Sequence, residues 1–364
     1  MGTIIFCLKL NQKRIVAMNI VFLDSHVVNP GDLGWGSLER LGPTSIYDST
    51  PSSEIIERSS DAEAILIVRS VINREVMNSL PNLRYIGVFA TGFDVVDTAA
   101  ANEYGITVTN VSSYNHTATA QGTMALLLEL ANHVGHHSYG VRSGDWSSSQ
   151  HFCYWDRQIV ELSGLTLGLV GFGKIAQRVA KLAYAHDMTL LASTRSGTLK
   201  DINIPVRLCK TEELLQQADV VSLHCPLTDE TRSLINKQSL ALMKPSALLI
   251  NTARGGLVDE FALAKALCEG QISGAGLDVM AKEPPDKDNP LLTAPNCVIT
   301  PHNSWSATKT RERLLSYGIA NLEAFINERP INVVNHPIEN PTRNTKTFPR
   351  SEVDGLSAPT CRPQ

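Results

Sequence analysis

The chain has 364 residues, enough for two domains with separate cores. Hydrophobic residues make up 43% and charged ones 19%, and the net charge of -4 leaves no basic stripe for nucleic acid and no polybasic membrane patch. No apolar run approaches the ~18 residues of a spanning helix, and seven cysteines without a CxxC pair argue against a disulfide framework or zinc ribbon and for a reducing, cytoplasmic setting.

The first residues lack a basic region ahead of their short apolar stretch, which makes them a poor secretory signal. A fresh strand pattern begins at Met18, so residues 1–17 read as an extension outside the fold. Strands are expected at Ile20–Asp24, Ala64–Val68, Tyr85–Val88 and Ile106–Asn110, with helix or turn chemistry at Asp61–Ala64, Asn73–Ser79 and Val95–Tyr104. This alternation predicts a parallel sheet with helices on both faces. A helical stretch at Thr117–Val134 follows.

The alternation then restarts. Leu165–Val170 has the run of a core strand and leads through Gly171-Phe172-Gly173 into a helical pattern at Ile175–His186. Further strands are expected at Thr189–Ser193, Val220–His224, Ala247–Asn251, Gly274–Asp278 and Val298–Thr300, with a last helix over Thr308–Asn327. The fold class is α/β with two doubly wound domains. The economical division is discontinuous: residues 18–117 and 303–337 form the smaller domain and 118–302 the nucleotide-binding one. Residues 338–364 are polar and poor in large apolar side chains, and read as a disordered tail.

Gly171-x-Gly173-x-x-Ala176 lies between an expected strand and helix. The first glycine permits the tight turn, and the second lets the backbone approach a pyrophosphate resting on the helix N-terminus. Such a turn also simply joins strands to helices, so by itself it is a weak sign. The next strand ends in Thr194-Arg195-Ser196, where an NAD site usually carries an acidic residue for the ribose 2′-hydroxyl. Hydroxyls beside a guanidinium suit a 2′-phosphate instead, which favours NADP(H) and leaves NAD(H) open; an ordinary solvated loop is the plainer reading of Arg195.

Arg254 follows a strand and precedes Gly255-Gly256, where its planar charge suits a carboxylate and a neighbouring keto oxygen, or a structural ion pair. His302 follows Pro301 at another strand end, and a reduced carbonyl needs a proton from a group titrating near neutrality. Glu283 is placed to accept from its other ring nitrogen, fixing the tautomer and favouring the protonated acid. His133, His136 and His137 resemble a metal cluster, but no carboxylate or cysteine joins them at ligand spacing, and they read as a solvated helix end. Cys225 has no adjacent base and reads as a wall residue rather than a nucleophile.

The ordered set Gly-Phe-Gly-Lys-Ile from Gly171, Asn-Thr-Ala-Arg-Gly-Gly-Leu-Val-Asp from Asn251, Gly276-Leu-Asp-Val with Glu283-Pro284, and Thr300-Pro-His resembles the D-isomer-specific 2-hydroxyacid dehydrogenase family over residues 18–337. Tyr85–Asp97 and Phe152–Asp156 are similar to its glycerate dehydrogenase/hydroxypyruvate reductase members. The resemblance implies a Rossmann cofactor domain inserted in a flavodoxin-like substrate domain, and reduction of a small 2-keto acid such as hydroxypyruvate or glyoxylate by NAD(P)H. It makes Arg254 the carboxylate and carbonyl clamp, His302 the proton donor and Glu283 its orienting partner. Amides at Thr91 and Gly92, helped by the Arg69-Ser70 loop, would complete the carboxylate site. Gly171, Phe172, Gly173, Lys174 and Ile175 would hold the pyrophosphate, with Thr194, Arg195 and Ser196 at the ribose end. Thr123, Cys225, Pro226, Thr252 and Ala253 would line the nicotinamide side, and Asp278 would face the carboxamide. The resemblance also implies a homodimer joined through the cofactor domains. Thr194 in place of an acid and the polar Asn303-Ser304-Trp305 after the histidine depart from the family pattern. A nicotinamide-sensing co-repressor is the alternative from another class, and retention of the Arg-Glu-His trio favours catalysis over it.

Overall fold

Short runs rich in Val, Ile, Leu and Ala, buried on both faces, form the strands of a computed structural model that describes residues 18–199 and 202–337. The extension expected at 1–17 and the tail expected at 338–364 lie outside the described residues. The chain divides into two compact units, one from residues up to Tyr114 together with those from Arg311 onward, the other Asn115–Thr310.

In the first unit β1 (Ile20–Phe22), β2 (Thr44–Ile46), β3 (Ala64–Ile67), β4 (Tyr85–Val88) and β5 (Thr107–Asn110) form a parallel sheet ordered β2-β1-β3-β4-β5. Period-two alternation sends Val21, Ile65, Ile67, Ile86 and Val88 to one core. Phe22 meets Phe89, and Tyr85 meets Phe325 of the helix Thr308–Ile326, at centroid separations of 4.9 Å. The segment after that helix returns to the sheet: the Asn335 side chain accepts from the Val108 amide and donates to the Ile106 carbonyl.

The second unit holds β6 (Thr166–Val170), β7 (Thr189–Ser193), β8 (Arg207–Leu208), β9 (Val220–Leu223), β10 (Leu248–Asn251), β11 (Gly274–Leu277) and β12 (Cys297–Ile299). They form a parallel sheet ordered β12-β11-β10-β9-β6-β7-β8. Along β10, Leu249 faces one core while Leu248 and Ile250 face the other, so both faces are covered. Strand order reverses beside the first strand in each sheet, between β1 and β3 and between β6 and β9. In open α/β sheets ligands bind at the carboxyl ends of the strands flanking such a point.

Two edge strands, β2 and β8, were not among the sequence expectations. Thr44–Ile46 is only partly buried and Arg207–Leu208 is exposed, and neither has the continuous apolar run that marks a central strand. The helix expected over Thr117–Val134 runs His116–Asn132 and stops where His133 turns left-handed (φ 50°), and a second helix, Val134–Ser143, follows at once. The three histidines therefore sit at a junction of two helices, which corrects the reading of a single solvated helix end.

Candidate functional site

At the β6–β9 reversal, Gly171 has φ 89°, and a Cβ there would come within 2.6 Å of the His224 carbonyl oxygen. Only glycine fits both demands. Gly173 then caps the 11-residue helix Lys174–Tyr184, with nothing within 4 Å of its missing Cβ. That space and the helix N-terminal amides fit a pyrophosphate. Ala176 is fully buried in the core between helix and sheet, which explains a small residue at the third fingerprint position. Phe172, Lys174 and Ile175 occupy the turn and first helical residues. Cys225 and Pro226 follow β9, and burial pushes the Cys225 thiol up, away from nucleophilic thiolate chemistry. At the end of β7 the turn Thr194–Gly197 is closed by a bond from the Gly197 amide to the Thr194 carbonyl, with Arg195 and Ser196 exposed.

The catalytic candidates leave three neighbouring strands of this sheet. Asn251, Leu277 and Ile299 lie side by side in register on β10, β11 and β12. Asn251 and Ile299 are thus two strand spacings apart, roughly 10 Å, and Arg254 and His302 each follow three residues after that row. The Asn251 side chain accepts from the Ala253 amide and donates to the Arg254 carbonyl, fixing the exit of β10. Arg254 Nη1 donates to the Ala253 carbonyl at 2.8 Å. The Thr123 hydroxyl donates to the Thr119 carbonyl within the helix His116–Asn132 and so accepts from the Thr252 hydroxyl.

His302 Nδ1 is 2.8 Å from Glu283 Oε2. A carboxylate only accepts, so the hydrogen sits on Nδ1 and Nε2 is left as the second reactive nitrogen. Glu283 Oε1 in turn accepts from the Met280 amide at 3.1 Å. The backbone at Met280 and Ala281 packs on Gly255, where a Cβ would stand 1.9 Å from the Met280 carbonyl carbon. The loop carrying Arg254 and the turn carrying Glu283 are therefore in direct contact, and His302 is tied to that turn. His302 itself is left-handed at φ 51°, a conformation that costs a non-glycine residue energy and persists only where neighbours hold it.

In the first unit, Arg69 and Ser70 follow β3, and Thr91 and Gly92 follow β4, at the carboxyl ends of adjacent strands. The Asn110 side chain donates to the Thr91 carbonyl at 2.7 Å, anchoring the second of these loops.

The model of the D-isomer specific 2-hydroxyacid dehydrogenase NAD-binding domain matches residues 124–304. A hydroxypyruvate reductase of Blautia hydrogenotrophica is 43% identical over 323 residues, covering 87% of this chain and all of that protein. The chain belongs to the D-isomer-specific 2-hydroxyacid dehydrogenases. A glycerate dehydrogenase of Methylorubrum extorquens is 42% identical over 79% of this chain and 90% of its own. A solved acyclic imino acid reductase in complex with NADPH and D-Arg superposes with a TM-score of 0.77 at 30% identity, covering 87% of this chain and 100% of that one. The protein is thus a nicotinamide-dependent oxidoreductase acting on a CH–OH group, and the sensor alternative is not favoured.

Three features of this dehydrogenase were not legible in its sequence. Asp278, assigned by resemblance to the nicotinamide carboxamide, is 2% exposed and accepts from Thr300 Oγ1 at 2.6 Å and from the amides of Asn303 and Ser304 at 3.0 Å. These bonds bracket His302 and hold its left-handed turn. Asp24, two residues past β1, accepts from the amides of Val68, Arg69 and Ser70, so in the loop expected to help bind a substrate carboxylate the backbone amides already have an acceptor. Asp156, more than fifteen residues downstream, lies 2.8 Å from His136 Nε2 and 3.4 Å from His137 Nε2. A carboxylate does join the histidines, contrary to the spacing argument, because the loop after Ser143 folds back. The His136 bond holds the Asp156 carboxyl below its usual range. Among the described residues no group of three or more His, Cys, Asp and Glu could hold a metal ion, and no helix is long and apolar enough to cross a membrane.

Proposed function

We propose that this dehydrogenase reduces a short 2-keto acid, hydroxypyruvate or glyoxylate, to the corresponding 2-hydroxy acid, with NADPH preferred to NADH. The observation that carries the reading is the bond between His302 Nδ1 and Glu283, on a turn packed against the loop that carries Arg254. Arg254 holds the substrate carboxylate and polarises the keto oxygen. His302 delivers the proton from Nε2 to the oxygen as the carbon becomes tetrahedral, and Glu283 stabilises the imidazolium before transfer. When bound, the reduced nicotinamide supplies the hydride. Thr91, Gly92, Arg69 and Ser70 belong to the carboxylate site in this reading.

For the cofactor, Gly171, Phe172, Gly173, Lys174 and Ile175 hold the pyrophosphate, and Thr123, Cys225, Pro226, Thr252, Ala253 and Asp278 surround the nicotinamide. The Thr194-Arg195-Ser196 turn, free of carboxylates and exposed at Arg195 and Ser196, supports the 2′-phosphate. The chain works in the cytoplasm as a homodimer; five free cysteines among the described residues support the first and the exposed Tyr139, Phe152 and Trp155 of the second unit the other.

The test is the loss of reduced-nicotinamide absorbance with each cofactor across a panel of 2-keto acids. Turnover fastest with hydroxypyruvate or glyoxylate and NADPH is expected. Cofactor binding without oxidation on any panel member overturns the substrate, and a tenfold preference for NADH overturns the cofactor assignment. A monomer mass by light scattering overturns the dimer.

A further inference from the structure

We infer that Asp24 is a positioning residue for substrate binding, acting through the Arg69-Ser70 loop; the inference rests on the reading that this loop meets the substrate carboxylate. Asp24 stands two residues past β1 and the loop follows β3. These two strands flank the point where the first sheet reverses its order, the place where ligands bind in sheets of this topology.

The geometry there is a closed clamp. Asp24 Oδ1 accepts from the Val68 amide at 2.7 Å, and Oδ2 accepts from the amides of Arg69 and Ser70, both at 2.7 Å, and from Ser70 Oγ at 3.0 Å. Four donors on three consecutive residues thus converge on one half-buried carboxylate. Charge-assisted bonds of this length are the strong kind, and a strand exit with its amides taken has one conformation rather than many.

Two consequences follow. The loop is held before substrate arrives, so ordering it costs nothing at binding. Its amides point back at Asp24, so the loop serves the substrate through the Arg69 side chain and not through its backbone, leaving amide donation to Thr91 and Gly92. An asparagine at position 24 would keep one acceptor but aim an NH2 group at amide donors, opening the clamp with almost no change of volume.

The experiment is Asp24→Asn in the full chain, with steady-state kinetics on glyoxylate or hydroxypyruvate at saturating cofactor. KM is expected to rise about tenfold, kcat to stay within about threefold, and the dissociation constant for NADPH, read by fluorescence, to stay unchanged. Hydrogen exchange at the Val68, Arg69 and Ser70 amides should accelerate by a similar or larger factor. Ser70→Ala, which removes one donor of four, should raise KM about threefold and covers the case of an Asp24 variant that does not fold.

A wild-type KM in Asp24→Asn, or equal losses in KM, kcat and cofactor affinity, overturns the assignment; so does a wild-type KM in Ser70→Ala if the first variant is insoluble. Arg69→Ala separates the layers. If it leaves KM unchanged, the loop is not part of the substrate site and both readings fall. If it raises KM while Asp24→Asn does not, only the clamp is wrong.

Discussion

A methyl group at Gly255 is the smallest change that should disable the proposed active site without touching a reacting atom. The Cβ of Gly255→Ala would stand 1.9 Å from the carbonyl carbon of Met280, 2.1 Å from its oxygen and 2.3 Å from the Ala281 nitrogen. Real contacts do not fall below 3.0 Å, so the two backbone segments must part by about 1 Å or more, and neither can swing aside as a side-chain tip would. On one side of the contact is Arg254. On the other, the Met280 amide donates to Glu283, which holds His302. Separation therefore moves the guanidinium and the imidazole relative to each other, and a displacement of this size costs about 10²-fold in rate.

The overpacking itself should cost about 1–3 kcal/mol of stability, a drop of several degrees in Tm. The assay is kcat/KM on hydroxypyruvate beside a thermal melt and an NADPH titration. We expect kcat/KM down about 10²-fold, a folded protein, and cofactor affinity within about threefold of wild type, since the Gly171 turn lies on another strand. Wild-type kcat/KM would refute the coupling of the Arg254 loop to the Glu283 turn, whatever the melt shows.

Gly173→Ala should behave in the opposite way: its Cβ meets nothing within 4 Å, so Tm should hold while the NADPH dissociation constant rises about tenfold, and unchanged affinity would move the pyrophosphate elsewhere. Arg254→Gln should lower kcat/KM roughly 10³-fold, about 4 kcal/mol of transition-state stabilisation, and near-normal values would remove the clamp. Burial pulls the His224 imidazole from 6.5 down to about 4. Between those values the unfolded chain takes up a proton that the folded chain refuses, so stability is full above pH 6.5 and declines as pH falls towards 4, by at most about 3 kcal/mol. His224→Gln should flatten that limb of the denaturation midpoint against pH, and parallel curves for the two proteins would refute it.

Much of this architecture was legible because the central strands are continuous apolar runs. Leu167–Val170, Val220–Leu223 and Leu248–Ile250 announce themselves, whereas Thr44–Ile46 and Arg207–Leu208, each paired on one side only, carry no such pattern. The proposed reacting groups stood out in the sequence for a chemical reason: a guanidinium beside paired glycines and a histidine after proline at strand ends have few structural uses in common. The break at His133 was not, since nothing in Asn132-His133-Val134 marks a left-handed residue, and the packing of the returning loop with Asp156 is a long-range effect.

The remaining misses share one physical cause. Loops leaving the carboxyl end of a parallel sheet carry amides with no ladder partner, and a half-buried or buried amide needs an acceptor. In each sheet a side chain at a strand's end supplies it. Asp24 beyond β1 takes the amides after β3, Asp278 beyond β11 takes the donors flanking His302 after β12, and Asn251 on β10 takes the amide of Ala253 beside Arg254. An acceptor of backbone amides leaves no periodicity or spacing in the sequence, because its donors can come from any residue type. A carboxylate near a ligand site therefore invites a ligand contact as its explanation, yet here the same groups first satisfy the backbone that presents the site. The geometry of the proposed reacting side chains is inherited from these bonds, which is why a single amide-for-acid exchange at Asp24 or Asp278 should act on binding or rate before it acts on the fold.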